Sequence, residues 1–299
     1  MGKRFVRIVI WLGVMAALTL LCMGLWLAVF KGSRTTESLK WLQLMQTAGT
    51  FLLPPVLCAM LWDENRKPFS WLGLSVTPDW KTAVLAVVTM LAAVPAINLL
   101  ADLNSRIDLP ESLDSIERIF RQQEETAALL TERFLQADNV GGMLLNIGLL
   151  ALLPALSEEL TFRGTLQQVM MNKSPITYHQ SPITNHQSPI VGIHISIWVT
   201  AFVFSAIHFQ FYGFVPRMLM GAMFGYVFVW TGSLWVPVLM HFTNNALVVI
   251  AYYLSADEAA APTNWADTIG AGPTWWLGVL SLVVTSLGLL IFYRRTHRQ

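Results

Sequence analysis

At 299 residues, with 55% hydrophobic and only 12% charged side chains, the chain carries about half the charged fraction of an ordinary soluble domain. Its formal net charge is +1 and its charges gather in short stretches, which excludes the basic face that a nucleic-acid partner requires. The composition is that of a polytopic membrane protein, an all-α bundle whose first partner is the lipid bilayer.

The chain opens on Lys3 and Arg4 and then runs apolar to Phe30. That run exceeds a signal h-region and no small-residue cleavage pattern follows, so it reads as a retained first span. A span needs about 20 apolar residues, which places eight near 6–30, 41–62, 82–101, 140–160, 190–208, 214–231, 234–254 and 274–293. Pro54-Pro55 should kink the second and Pro95 the third, with neighbouring helices making good the lost hydrogen bonds. Cys22 and Cys58 lie in apolar runs and read as small hydrophobes.

The positive-inside rule sets orientation. Lys3, Arg4, Arg7, Arg66, Lys67, Lys173, Arg294, Arg295 and Arg298 fall on one side, which should be cytoplasmic and would hold both termini. The loop carrying Asp257, Glu258 and Asp267, free of Lys and Arg, falls opposite; Lys31, Arg34 and Lys40 oppose this scheme. Three regions result: N-terminal spans with an amphipathic segment (1–135), a core (136–255), and a last span with a basic tail (256–299).

Between the third and fourth spans, Leu113, Ile116, Ile119, Phe120, Leu129, Leu130, Phe134 and Leu135 recur at helical spacing among charged residues. This suits an amphipathic helix on the membrane surface or capping the bundle, or an extramembrane helix packed on loops. Phe69 to Leu74 reads as a short interfacial segment, and Trp235, Trp275 and Trp276 fit belt positions. Ser174 to Gln180 recurs as Ser181 to Gln187, a polar, proline-bearing repeat that reads as a loop; His179 and His186 within it are repeat residues rather than metal ligands.

Three polar clusters interrupt the apolar core. Glu158 and Glu159 close the run Val140 to Leu156, followed by Arg163. Glu159 and Arg163, four apart, can form an intrahelical ion pair, whereas Glu158 is turned away by about 100° and is free to serve as a general base in a cavity. The alternative is that all three form the wet end of the span. His208 ends the fifth span; His241 lies within the seventh, with Asn244 and with Asn245 one turn on. Ionisable side chains at membrane depth are costly and mark functional sites. Placed literally, the glutamates and His208 lie near opposite faces, a conflict that a helix running from about Val140 to Asn172 would remove. A carboxylate, two imidazoles and an amide suffice for amide hydrolysis. Glu158, His208 and His241 could equally hold a divalent metal such as zinc that activates water. No His-Glu-x-x-His or Gly-x-Ser-x-Gly is present.

Glu158-Glu159-x-x-x-Arg163, Phe204-x-x-x-His208 and His241-x-x-x-Asn245, in this order, resemble the motifs of the CPBP family of intramembrane metalloproteases, which includes CAAX prenyl endopeptidases and the bacteriocin-related Abi proteins. The resemblance covers about residues 140–250. It implies an intramembrane endopeptidase acting on a peptide or a lipid-linked protein. Glu158 would activate water with His208 as its partner, Glu159 and Arg163 would orient the site, and His241 and Asn245 would stabilise the oxyanion or complete a metal site. A metal-independent glutamate mechanism is the rival. A non-catalytic immunity or binding protein would share the fold, and a proton-coupled transporter would use the same carboxylates but shows no inverted repeat here.

Overall fold

The computed structural model describes residues 2–63, 66–171, 190–255 and 268–296. The repeat loop with His179 and His186, together with Lys173, Asp257, Glu258, Asp267 and Arg298, lies outside the described residues. The described chain forms ten helices of more than one turn or capping a loop: α1 (Gly2–Phe30), α2 (Thr36–Trp62), α3 (Pro68–Trp71), α4 (Trp80–Ser105), α5 (Asp114–Leu135), α6 (Val140–Met171), α7 (Ile190–Ala206), α8 (Phe214–Thr231), α9 (Trp235–Ser255) and α10 (Trp275–Thr296). No strand occurs among the described residues. The protein is an integral, multi-pass helical bundle.

Seven of these helices, α1, α2, α4, α6, α8, α9 and α10 with its leading turn, are long and apolar enough to cross a membrane. The eighth expected span departs from that length. α7 has 17 residues, about 25 Å of rise against a hydrocarbon core of about 30 Å. Its apolar character continues past Ala206, but the helix does not. Ser205 Oγ donates to Phe214 O at 2.7 Å, and Phe209 takes a left-handed φ of 53°. Among the described residues, α7 therefore covers less than a full membrane thickness before the chain turns.

Side chains of neighbouring helices make good the hydrogen bonds that the prolines remove. Pro55 has no N–H to offer Phe51 O, which instead accepts the Thr161 hydroxyl of α6 at 2.7 Å. A wide, π-type turn over Thr47–Leu52 precedes the proline pair. In α4, Ser281 Oγ of α10 inserts beside Pro95, accepting from Ala96 N at 3.0 Å and donating to Ala92 O. Such insertions mark helix kinks.

α5 caps one end of the bundle. Its Phe134 and Leu135 are buried, Arg133 donates to Thr36 Oγ1 at 2.8 Å and Arg34 O at 3.0 Å, and Asn146 of α6 donates to Leu135 O at 3.0 Å. Ile116, Ile119, Leu129 and Leu130 stay exposed, the pattern of a helix with one face on protein and another toward lipid. The segment Phe69 to Leu74, expected at the interface, keeps Phe69 exposed and anchors its other end in the bundle. Leu72 is fully buried, Leu234 N donates to Gly73 O at 2.9 Å, and the Trp235 indole donates to Leu74 O at 2.8 Å. Trp275 and Trp276 remain exposed as belt residues would. Cys22 and Cys58 are free thiols.

Candidate active site

The fourth apolar run does not end at residue 160. α6 continues to Met171 as one 32-residue helix, so the glutamates lie near its middle rather than at a wet end. Every residue from Glu159 to Val169 is buried. The run looked finished because it turned polar, but its polar residues are enclosed by α1, α2, α7, α8 and α9. Together with the early stop of α7, this removes the depth conflict. His208 lies in the turn after α7 rather than within its last turn, beneath α5.

Arg163 holds the centre. Its Nη1 donates to Glu159 Oε1 at 2.8 Å, with both side chains fully buried. Nη2 donates to Gly221 O of α8 at 2.9 Å. The guanidinium lies between two aromatic faces, 4.7 Å from the Phe204 centroid and 5.4 Å from that of Phe224, a cation–π arrangement strengthened by desolvation. One turn on, Gln167 Nε2 donates to Gly225 O at 3.1 Å. Glycines at 221 and 225 admit these side chains to the α8 backbone: a Cβ at 225 would lie 2.8 Å from Gln167 Oε1 and 2.9 Å from Ile197 Cγ2. A π-type stretch, Phe162–Gln167, covers this part of α6, as another covers Ile147–Leu152 earlier in the same helix, and such bulges favour functional positions.

Glu159 Oε1 also meets His241 Nδ1 at 3.0 Å. With the Nδ1 hydrogen directed at this carboxylate, the ring orientation is fixed and Nε2 points the other way. That atom is 4.0 Å from Glu158 Oε2, too long for a direct hydrogen bond and short enough for a bridging water. Phe224 stacks on the His241 ring at 5.5 Å and Phe204 meets it edge-on at 6.0 Å. Phe204 also meets His208 edge-on at 5.3 Å. His208 Nδ1 pairs with Phe204 O at 2.8 Å; as the carbonyl can only accept, Nδ1 carries the hydrogen and Nε2 is left as an acceptor.

The structure thus gathers Glu158, Glu159, Arg163 and His241 into one cluster, with His208 against the same Phe204 ring that Arg163 and His241 meet. Asn245 stands apart from them. Its Oδ1 accepts from Asn244 Nδ2 at 3.2 Å, and it lines a cavity of about 270 Å³ between α5 and α9 with Gln43, Leu135, Leu150 and Val249. For a metal, Glu158 and His241 would be facing donors. Among the described residues, however, no three His, Cys, Asp or Glu side chains group closely enough to hold an ion.

Sequence reasoning named Phe204 only as the start of its motif and passed over Phe224, Gly221 and Gly225, Gln167, and Arg217 of α8. Arg217 had a signal, being the one Lys, Arg, Asp or Glu between Lys173 and Asp257. Phe224 and the two glycines had none, since such residues are common in apolar helices.

Fold and site define a multi-pass helical membrane protein built around a buried carboxylate–guanidinium–imidazole cluster. Residues 140–247 match the Rce1-like family model, described as type II CAAX prenyl endopeptidase, so the resemblance expected from the motifs is found in the segment that carries them. The chain is also 28% identical over 102 residues to the uncharacterized protein YpbD of Bacillus subtilis (strain 168), an alignment covering 33% of this chain. That alignment spans 41% of YpbD, about two fifths of its length. No solved structure matches the chain.

Proposed function

We propose that this protein is an intramembrane endopeptidase that hydrolyses a peptide bond in a membrane-associated protein or peptide, with Glu158 activating the attacking water. The observation that carries the reading is the division of labour between adjacent glutamates. Glu159 is consumed by Arg163 and His241, while Glu158 is left beside His241 Nε2 with its side chain 15% exposed. Glu158 takes a proton from water as the oxygen attacks the carbonyl carbon, and returns it to the leaving nitrogen as the C–N bond breaks, giving an acid and an amine. His208, through its bare Nε2, accepts from the same water. Asn245, in the cavity beneath α5, lies apart from this step.

The Rce1-like match favours a prenylated, CAAX-type substrate, and the basic clusters favour cytoplasmic termini in a bacterial inner membrane. The test is cleavage of a farnesylated CAAX peptide by the purified chain in liposomes. Glu158→Gln should lower kcat by at least about a hundredfold, the usual scale for a general base, without loss of folding. Undiminished cleavage by that variant would reject the assignment.

A further inference from the structure

We propose that Arg217 binds the terminal carboxylate of the substrate peptide, setting how far from a chain end the cut is made; the proposal rests on the endopeptidase reading above. Arg217 occupies the first turn of α8, where the helix dipole disfavours a cation, so its placement is costly unless something anionic meets it. Nη2 donates to Gln210 Oε1 at 2.7 Å. Nη1 is buried with no hydrogen-bond partner, and an unmet buried donor destabilises the protein. Among the described residues, no carboxylate lies within ion-pair distance of this guanidinium.

Its position suits a substrate contact. Its bond to Gln210, two residues past His208, ties the guanidinium to the turn that carries that imidazole, and its charge acts on both Glu158 and His208. The remaining partners hold it there without filling it. Gln210 Nε2 donates to Glu124 Oε2 of α5 at 3.3 Å, and Glu124 Oε1 accepts from Tyr212 N at 2.9 Å. Both Glu124 oxygens are thus occupied by the loop, and Gln210 is anchored from the far side. At residue 213 a Cβ would lie 2.9 Å from Arg217 Nη2, so glycine leaves the fork its room. Arg163, the other arginine of the site, has both terminal nitrogens taken by Glu159 and Gly221, leaving only its inner Nε unpaired. Arg217 therefore offers the open terminal guanidinium donor, and a planar carboxylate is the group such a fork recognises best.

The test uses the full chain in phosphatidylcholine liposomes, so that no anionic headgroup competes. A farnesylated fluorogenic CAAX peptide is compared with the same peptide amidated at its C-terminus. For the unaltered chain, amidation should raise KM about tenfold or more, the scale of a charge-assisted hydrogen bond. Arg217→Gln should raise KM for the acid by a similar factor, leave kcat nearly unchanged, and cleave acid and amide alike. Arg217→Lys should restore part of the preference. Gly213→Ala, which crowds the fork without removing the charge, should raise KM for the acid alone. Equal cleavage of acid and amide by the unaltered chain overturns the proposal while leaving the endopeptidase reading intact. Full discrimination by Arg217→Gln does the same. Failure of the unaltered chain to cleave either peptide rejects the endopeptidase reading and this assignment with it.

Discussion

Replacing Arg163 by Met keeps the length of the side chain inside α6 and removes its charge. Glu159 then retains its carboxylate, fully buried, with His241 as its one remaining partner through Oε1; Oε2 already has none. Breaking a buried pair by deleting one member costs about 3–5 kcal/mol, because the survivor is left uncompensated. Loss of the bond to Gly221 O and of the two aromatic faces adds to this. At about 2–4 °C per kcal/mol for a chain of this size class, the melting point should fall by roughly 10 °C or more. The double variant Arg163→Met/Glu159→Gln removes both charges and should recover at least half of that loss. Unfolding by SDS titration in bicelles measures all four corners of the cycle. A coupling below about 0.5 kcal/mol, the scatter expected of independent sites, would show that the pair is not the electrostatic centre described above.

Four other perturbations probe separate parts of the structure. Phe209→Gly relieves a left-handed φ that costs an aromatic residue about 1–3 kcal/mol; the melting point should rise while cleavage falls, because the turn presenting His208 loosens, and a fall in both would remove the strain argument. Gly225→Ala drives a methyl toward Gln167 and Ile197 and should cost about 1–3 kcal/mol, read as a lowered thermal midpoint. Glu117 is held below the usual carboxylate range, first by the Leu109 N–H at 2.8 Å and then by Arg121. Its contribution is complete above the ordinary carboxylate pKa and is lost as pH falls through the lowered value, so proteolysis around residues 106–113 should accelerate from about pH 4 downward. Exhaustive chelation should leave cleavage unchanged; loss of activity restored by zinc would move water activation from Glu158 alone to an ion.

Much of the architecture could be read from apolar run length, and the three motifs named the residues of the cluster. The Glu159–Arg163 pair followed from four-residue spacing alone. What periodicity could not supply was enclosure. The stretch Glu159 to Val169 is polar enough to suggest a helix leaving the membrane, and only the surrounding helices make it interior. The end of α7 was equally hidden, because a backbone turn at Phe209 stops the helix while the apolar sequence continues. Arg217 carried no motif, although the cost of burying a single cation among apolar residues was visible in the sequence. Asn245, paired with His241 by spacing, faces a cavity beneath α5 that depends on a helix more than 100 residues earlier in the chain.

The locality of the central ion pair also bears on biosynthesis. Glu159 finds Arg163 four residues away, whereas its contact with His241 spans 82 residues and that of Arg163 with Gly221 spans 58. When α6 leaves the ribosome, α8 and α9 do not yet exist. A helix whose strongest charges already cancel can enter the bilayer and wait there, so the nascent chain is protected by the same short-range contact that later organises the finished site.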